Sequence, residues 1–214
     1  MLKYKGTYIR LFPIMMKKFM EEQYGKTVTK EAYKKAPAIY RDMLMKVDDI
    51  GSDNPMAGNI YMAFVFMAIW KAAGGAIDTE SYRIVVRRFL TESFARKFIG
   101  KSDMNKPEDV LKARDKFKRM QAWADDHPQY RDKTWDFNFD EARHKDGSFY
   151  YFTRCPLNDF ARKFDYLEVL PVCCELDHIL TEASHGKLIR EYTLATGGPI
   201  CDYWIVPDKL SDPQ

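Results

Sequence analysis

Long apolar runs, blocks of like charge and cysteines are all scarce in this chain of 214 residues, and each scarcity removes a class of function. The one membrane-like run, Ile60 to Trp70, is eleven residues long. A bilayer-spanning helix needs roughly 20, so this segment is expected inside a core and no membrane partner is expected. Lysine and arginine number 34 against 31 aspartates and glutamates, a net charge of +3. No basic stretch interleaves with aromatics, which argues against a nucleic-acid partner. The pairs Lys17-Lys18, Lys34-Lys35 and Arg87-Arg88 read as solvated helix faces. The start of the chain, with Lys3, Lys5 and Arg10, lacks the apolar core and small-residue cleavage site of a secretory signal, so a cytoplasmic location is expected. Four cysteines in such a chain favour free thiols or a metal site over disulfides.

What is present fits one sizeable core. The expectation is a single domain over 1–214, with a helical part at 1–125 and a sheet and site-bearing part at 133–206. Tyr33, Pro37, Tyr40, Leu44 and Val47 recur at helical spacing, with Pro37 expected to kink the segment. Gly51–Pro55 is a break, and a very apolar helix follows from Ala57 to Ala73. Tyr61, Phe64, Phe66, Met67 and Trp70 in it read as core, with a pocket wall as the other use. Asp78 is the expected N-cap of a helix whose Tyr82, Val86, Phe89, Leu90 and Phe94 share a face. Pro107 opens another, with Ala113, Phe117, Met120 and Ala124 as its stripe.

The period then changes. Trp135, Phe137 and Phe139 alternate with Asp136, Asn138 and Asp140, which is strand spacing. Asp146-Gly147 supplies a turn, and Phe149 to Arg154 is the expected return strand. Helices are expected over Pro156–Phe164 and Leu167–Ala183, the second interrupted at Pro171. A strand over Lys187–Leu194, a Gly197-Gly198-Pro199 turn and a strand over Ile200–Val206 complete the pattern. Helices, hairpin, helices, hairpin define an α+β class with an antiparallel sheet of about four strands.

The polar residues worth chemistry cluster in the last third. Cys174, Asp177 and His178 stand at i, i+3 and i+4, one face of a helix. They can form a nucleophile with its base, part of a metal site, or plain packing around a buried thiol. Cys173 reads as packing. Cys155 falls where a helix begins, a place that lowers a thiol pKa, and Arg154 beside it can clamp a carboxylate. Arg190 shares a strand face with Leu188, Tyr192 and Leu194, so it either snorkels or is buried with an anion. Thr193 lies on the opposite face of a regular strand, and only a bulge would let both serve one site.

Taken together, Thr153-Arg154-Cys155, Cys174-x-x-Asp177 and Arg190-x-x-Thr193-x-x-x-Gly197-x-x-x-Cys201-Asp202 followed by Tyr203 resemble the L-2-amino-thiazoline-4-carboxylic acid hydrolase family. The Gly51–Pro55 loop and Asn59 resemble its weaker N-terminal signal. The resemblance implies a hydrolase that opens a small sulfur/nitrogen ring, giving N-carbamoyl-L-cysteine from the name-giving substrate. Under it, Cys174 and Asp177 are the catalytic candidates, either as nucleophile and base or with Asp177 as base for water. Arg154, Arg190, Thr193, Cys155, Cys201 and Asn59 are the substrate-binding candidates. The C-terminal hairpin is also similar to 4-vinyl reductase-type ligand-binding domains, some of which bind zinc, although Thr193 stands at the position of a second cysteine. No cofactor is required; if zinc is bound, Cys155, Cys174, Cys201 and Asp177 are its ligands. The alternative function is a non-catalytic small-molecule binding or sensor domain. A small-molecule substrate is the expected partner, and a largely helical, aromatic-rich face leaves room for a homodimer.

Overall fold

The computed structural model describes residues 2–140, 142–144 and 146–209. Among them the chain runs through α1 (Gly6–Lys46), α2 (Ala57–Ala72), α3 (Thr79–Glu92), α4 (Pro107–Asp125), α5 (Pro128–Arg131), β1 (Phe137–Phe139), β2 (Ser148–Phe152), α6 (Pro156–Phe164), α7 (Leu170–Ala183), β3 (Gly186–Ile189) and β4 (Cys201–Pro207). The strands form one sheet in the order β1-β2-β4-β3, every neighbouring pair antiparallel. The α+β class therefore holds. The two hairpins are joined edge to edge by β2 and β4, with Tyr150 opposite Tyr203 and Phe152 opposite Cys201.

Local sequence explains the elements. In α2 Ile60, Tyr61, Phe64, Phe66, Met67 and Ile69 are all inaccessible to solvent. Each large side chain so buried contributes about 1.5–3 kcal/mol, which accounts for a helix apolar on every face. The Asp78 side chain caps α3, accepting the Ser81 N–H at 2.8 Å. Tyr82, Val86, Phe89 and Leu90 of α3 are buried as expected, but Phe94 lies beyond the helix, past Ser93, and is 61% exposed. Residues Ala113, Phe117 and Met120 of α4 are half-buried and Ala124 is buried. Phe117 covers the inner face of the sheet, its ring 4.4 Å from that of Tyr150.

Four expectations need correction. Pro37 does not kink α1; the break is at Gly25, whose φ of 79° and ψ of 163° suit a residue without Cβ. Pro171 does not interrupt α7 but sits in its first turn, where a missing N–H costs nothing, and the helix starts at Leu170. The return strand ends at Phe152, not Arg154. The strand expected over 187–194 ends at Ile189. Beyond it the chain leaves the ladder, makes a 3-10 turn at Leu194–Thr196 and re-enters the sheet at Cys201.

Candidate functional site

Alternation along β4 turns Cys201 and Tyr203 to the inner face of the sheet, and Asp202 to the outer one. On β3, Leu188 pairs with Ile205 and Ile189 with Trp204, so Arg190 follows on the inner face beside Tyr203. Helix α7 packs beneath this corner and presents Asp177 to it. Arg190 donates from Nη2 to Asp177 Oδ2 at 3.0 Å, from Nη1 to the Cys174 carbonyl at 3.4 Å and from Nε to the Asp202 carbonyl at 3.1 Å. Its guanidinium lies 4.1 Å from the centre of the Tyr203 ring. Three directed donors and an aromatic floor leave the arginine side chain only 6% exposed. The sequence alternative of a buried arginine with an anionic partner is the one realised.

Tyr203 donates its hydroxyl to the same oxygen, Asp177 Oδ2, at 2.8 Å. It stacks on Tyr150 with ring centres 4.7 Å apart. Burial, reinforced by the Asp177 charge, raises the pKa of Tyr203 well above the ordinary value, so it remains a donor through neutral pH. Both bonds fall on Oδ2, and Oδ1 receives no hydrogen bond from the described residues. Asp177 keeps 35% of its side chain exposed.

The thiols are quieter than their positions in the sequence imply. Burial, with the Asp177 charge as the next cause, raises Cys174 well above its ordinary value, so it is protonated at neutral pH. Cys155 does stand at the start of α6, yet burial pushes it up to about 12 and outweighs the helix-start N–H groups of Asn158 and Leu157. That corrects the expectation of a lowered pKa there. Cys201 is raised by burial too, and its sulfur accepts the Leu194 N–H at 3.1 Å. Cys173 is buried against α2, its thiol 3.9 Å from the Ala63 carbonyl.

Other candidates are placed elsewhere. Arg154 donates to the Arg131 carbonyl at 2.6 Å, toward α5. Thr193 uses its hydroxyl to cap the 3-10 turn, accepting the Thr196 N–H at 3.2 Å. Asn59 is exposed on the first turn of α2, its amide 3.7 Å from the Met56 sulfur. The buried amide of that region is Asn54, which donates to the Ile50 carbonyl and to Thr134 Oγ1, both at 2.9 Å. Among the described residues no group of three or more His, Cys, Asp and Glu side chains is arranged to hold a metal ion, so Cys155, Cys174, Cys201 and Asp177 are not gathered as a ligand set. A cavity of about 250 Å³, walled only by apolar side chains such as Phe12, Met62, Leu176 and Leu180, adjoins another face of α7 and offers no group for acid–base chemistry.

The sequence-based site list omits two residues that the structure brings in, Tyr203 and Asp202. Both stand in the block that begins at Cys201. The signal for Tyr203 was its two-residue spacing from Cys201, which puts both on one strand face.

A helical bundle over an antiparallel sheet, with a partly exposed carboxylate held by a buried arginine and a tyrosine, defines the class: an α+β protein with a carboxylate–arginine–tyrosine cluster at a helix–sheet junction. The family model for L-2-amino-thiazoline-4-carboxylic acid hydrolase matches residues 58–205, and the chain belongs to that family. Searches of curated proteins and of solved structures gave no match. The match spans every residue of the Asp177 set, and no helix among the described residues is long and apolar enough to cross a membrane.

Proposed function

We propose that the protein is a hydrolase opening a small sulfur/nitrogen heterocycle, with Asp177 as the base that activates water. The observation that carries this is the one-sided use of the Asp177 carboxylate: Arg190 and Tyr203 hold Oδ2, Oδ1 accepts no hydrogen bond from the described residues, and 35% of the side chain is exposed. A base must be oriented and within reach of water; Arg190 and Tyr203 orient this carboxylate, and 35% of its side chain stays exposed. The guanidinium and the phenol converge on one oxygen and so fix the plane of the carboxylate.

In the reaction, Oδ1 takes a proton as water adds to the ring carbon bonded to sulfur and nitrogen. The ring nitrogen of the former carbon–nitrogen double bond takes that proton; the tetrahedral adduct then collapses as its hydroxyl becomes the carbonyl and the carbon–sulfur bond breaks, the hydroxyl proton passing by way of Asp177 to the departing sulfur. For 2-amino-thiazoline-4-carboxylate this yields N-carbamoyl-cysteine. A protonated Cys174 one turn before Asp177 supports water, rather than a resting thiolate, as the nucleophile.

The test is release of new thiol from 2-amino-thiazoline-4-carboxylate. A folded Asp177→Asn protein is expected to lose turnover, and full activity in it would remove the proposal. Cys174→Ser separates the two routes: retained turnover supports attack by water, and abolished turnover places the thiol in the covalent step. Binding of the ring without turnover in the unaltered protein would instead favour a ligand-binding role.

A further inference from the structure

We propose that Asp202 is the positioning residue for this site: its buried carboxylate fixes the backbone at Glu191 and Tyr192 and so aims the Arg190 guanidinium at Asp177. The inference rests on the reading of Asp177 as the base. Regular pairing between β3 and β4 stops at Ile189 opposite Trp204, one residue before Arg190. Past that point the ladder no longer holds the chain. The Asp202 side chain takes over, with Oδ2 accepting the Glu191 N–H at 2.9 Å and Oδ1 accepting the Tyr192 N–H at 2.7 Å. The Asp202 carbonyl accepts from Arg190 Nε, and its own N–H reaches the Tyr192 carbonyl at 3.4 Å. One residue thus grips the backbone on the C-terminal side of Arg190 and the guanidinium itself.

Two features set Asp202 apart from an ordinary turn residue. It is 4% exposed, and a desolvated carboxylate is costly unless its oxygens are hydrogen-bonded. No described lysine, arginine or histidine forms an ion pair with it; both oxygens are committed to backbone N–H groups of the segment that follows Arg190. Because its side chain lies on the outer face of β4, it reaches Asp177 only through Arg190. A carboxamide at this position keeps one acceptor and turns an NH₂ group toward the other N–H, which frees that half of the grip while preserving size.

The experiment compares Asp202→Asn with the unaltered protein by turnover and by the NMR signal of the Arg190 Nε–H, assigned by its loss in Arg190→Lys. The expected result is a fall in kcat of about tenfold to a hundredfold with KM little changed, since small misplacements of a catalytic group act on kcat. The Nε–H signal should broaden into fast exchange while the remaining spectrum is kept. Asn105→Ala, which cuts the 2.9 Å link to Asp208 at the far end of the hairpin, is the control and should change neither readout. A folded Asp202→Asn protein with an unchanged Nε–H signal overturns the proposal, whether or not its kcat falls. The NMR arm needs no turnover, so an active Asp177→Asn protein would defeat the functional reading and leave this result standing by itself. If Asp202→Asn does not fold, amide exchange in the unaltered protein decides: Glu191 and Tyr192 protected like β4 is the expected result, and unprotected amides overturn it.

Discussion

Arg190 and Asp177 meet at 3.0 Å between the β3–β4 hairpin and α7, the arginine side chain 6% exposed and the aspartate 35%. The asymmetry assigns their roles. Arg190, 6% exposed and donating to three acceptors, is a fixed strut between hairpin and helix. Asp177 stands at the boundary, hydrogen-bonded through Oδ2 and partly exposed. Under the proposed function, that arrangement gives Arg190 a supporting role behind Asp177 in addition to the substrate-binding role that the family resemblance implies.

Replacing Arg190 by methionine is expected to lower stability by about 2–3 kcal/mol, less than for a fully buried pair because water screens the aspartate. Arg190→Lys keeps the charge but not the three-way geometry, so it should fall between. Urea unfolding midpoints measure both, and an Arg190→Met protein as stable as the original would show that the pair does not tie hairpin to helix.

Tyr203→Phe removes one donor to Asp177 and keeps the ring stacked on Tyr150. A hydrogen bond to a charged group contributes about 1.5–3 kcal/mol to stability, so the melting temperature is expected to fall by about 3–12 °C, and turnover of the folded variant to drop about tenfold or more. Unchanged kcat in this variant would mean that the hydroxyl does not orient the base.

The four thiols should resist a disulfide reagent at pH 8 in the folded protein and react at once in denaturant. Burial holds all of them above the ordinary value of 9.0, Cys155 at about 12. The linkage has a sign. Below pH 9 folded and unfolded chains both keep these protons, and stability is at its full value. Between pH 9 and about 12 the unfolded chain releases protons that the folded one retains, so stability falls as pH rises. Denaturation midpoints at pH 7.5, 9 and 10.5 should decrease in that order.

Gly25→Ala and Gly51→Ala probe two different penalties. At Gly25 nothing lies within 4 Å of an added Cβ, so only the positive φ opposes it, about 1–3 kcal/mol. At Gly51 the φ is +84° and the Cβ would also sit 2.8 Å from the Trp123 ring and 2.9 Å from Tyr130. Calorimetry should therefore show the larger loss for Gly51→Ala, and equal losses would contradict the packing seen there.

Periodicity made much of this legible before any coordinates. The spacing of Cys174 and Asp177 placed them on one helix face, and the alternation from Leu188 to Arg190 turned the arginine inward. What the pattern missed depends on contacts between elements far apart in sequence. The three-way hold on Arg190 needs α7 and β4 together, and the raised pKa of Cys155 comes from burial that a local helix-start rule cannot include. Pro37 misled because an exposed proline was tolerated within α1, whereas the break fell where Gly25 allows a positive φ. Asn59 entered through the family resemblance, as part of its weaker N-terminal signal; the buried polar residue of the adjoining loop is Asn54.

Chain order and sheet order disagree, since β4 follows the other three strands yet lies between β2 and β3. A nascent chain therefore acquires all seven helices and three strands before the strand that unites them exists. Until then β2 and β3 each present an open edge, the kind of surface on which chains pair wrongly. Tyr203 and the clamp on Arg190 arrive with that same strand. Translation that stops anywhere before residue 201 thus yields a product with exposed edges and an unassembled site, so closure of the sheet and assembly of the Arg190 cluster are one event.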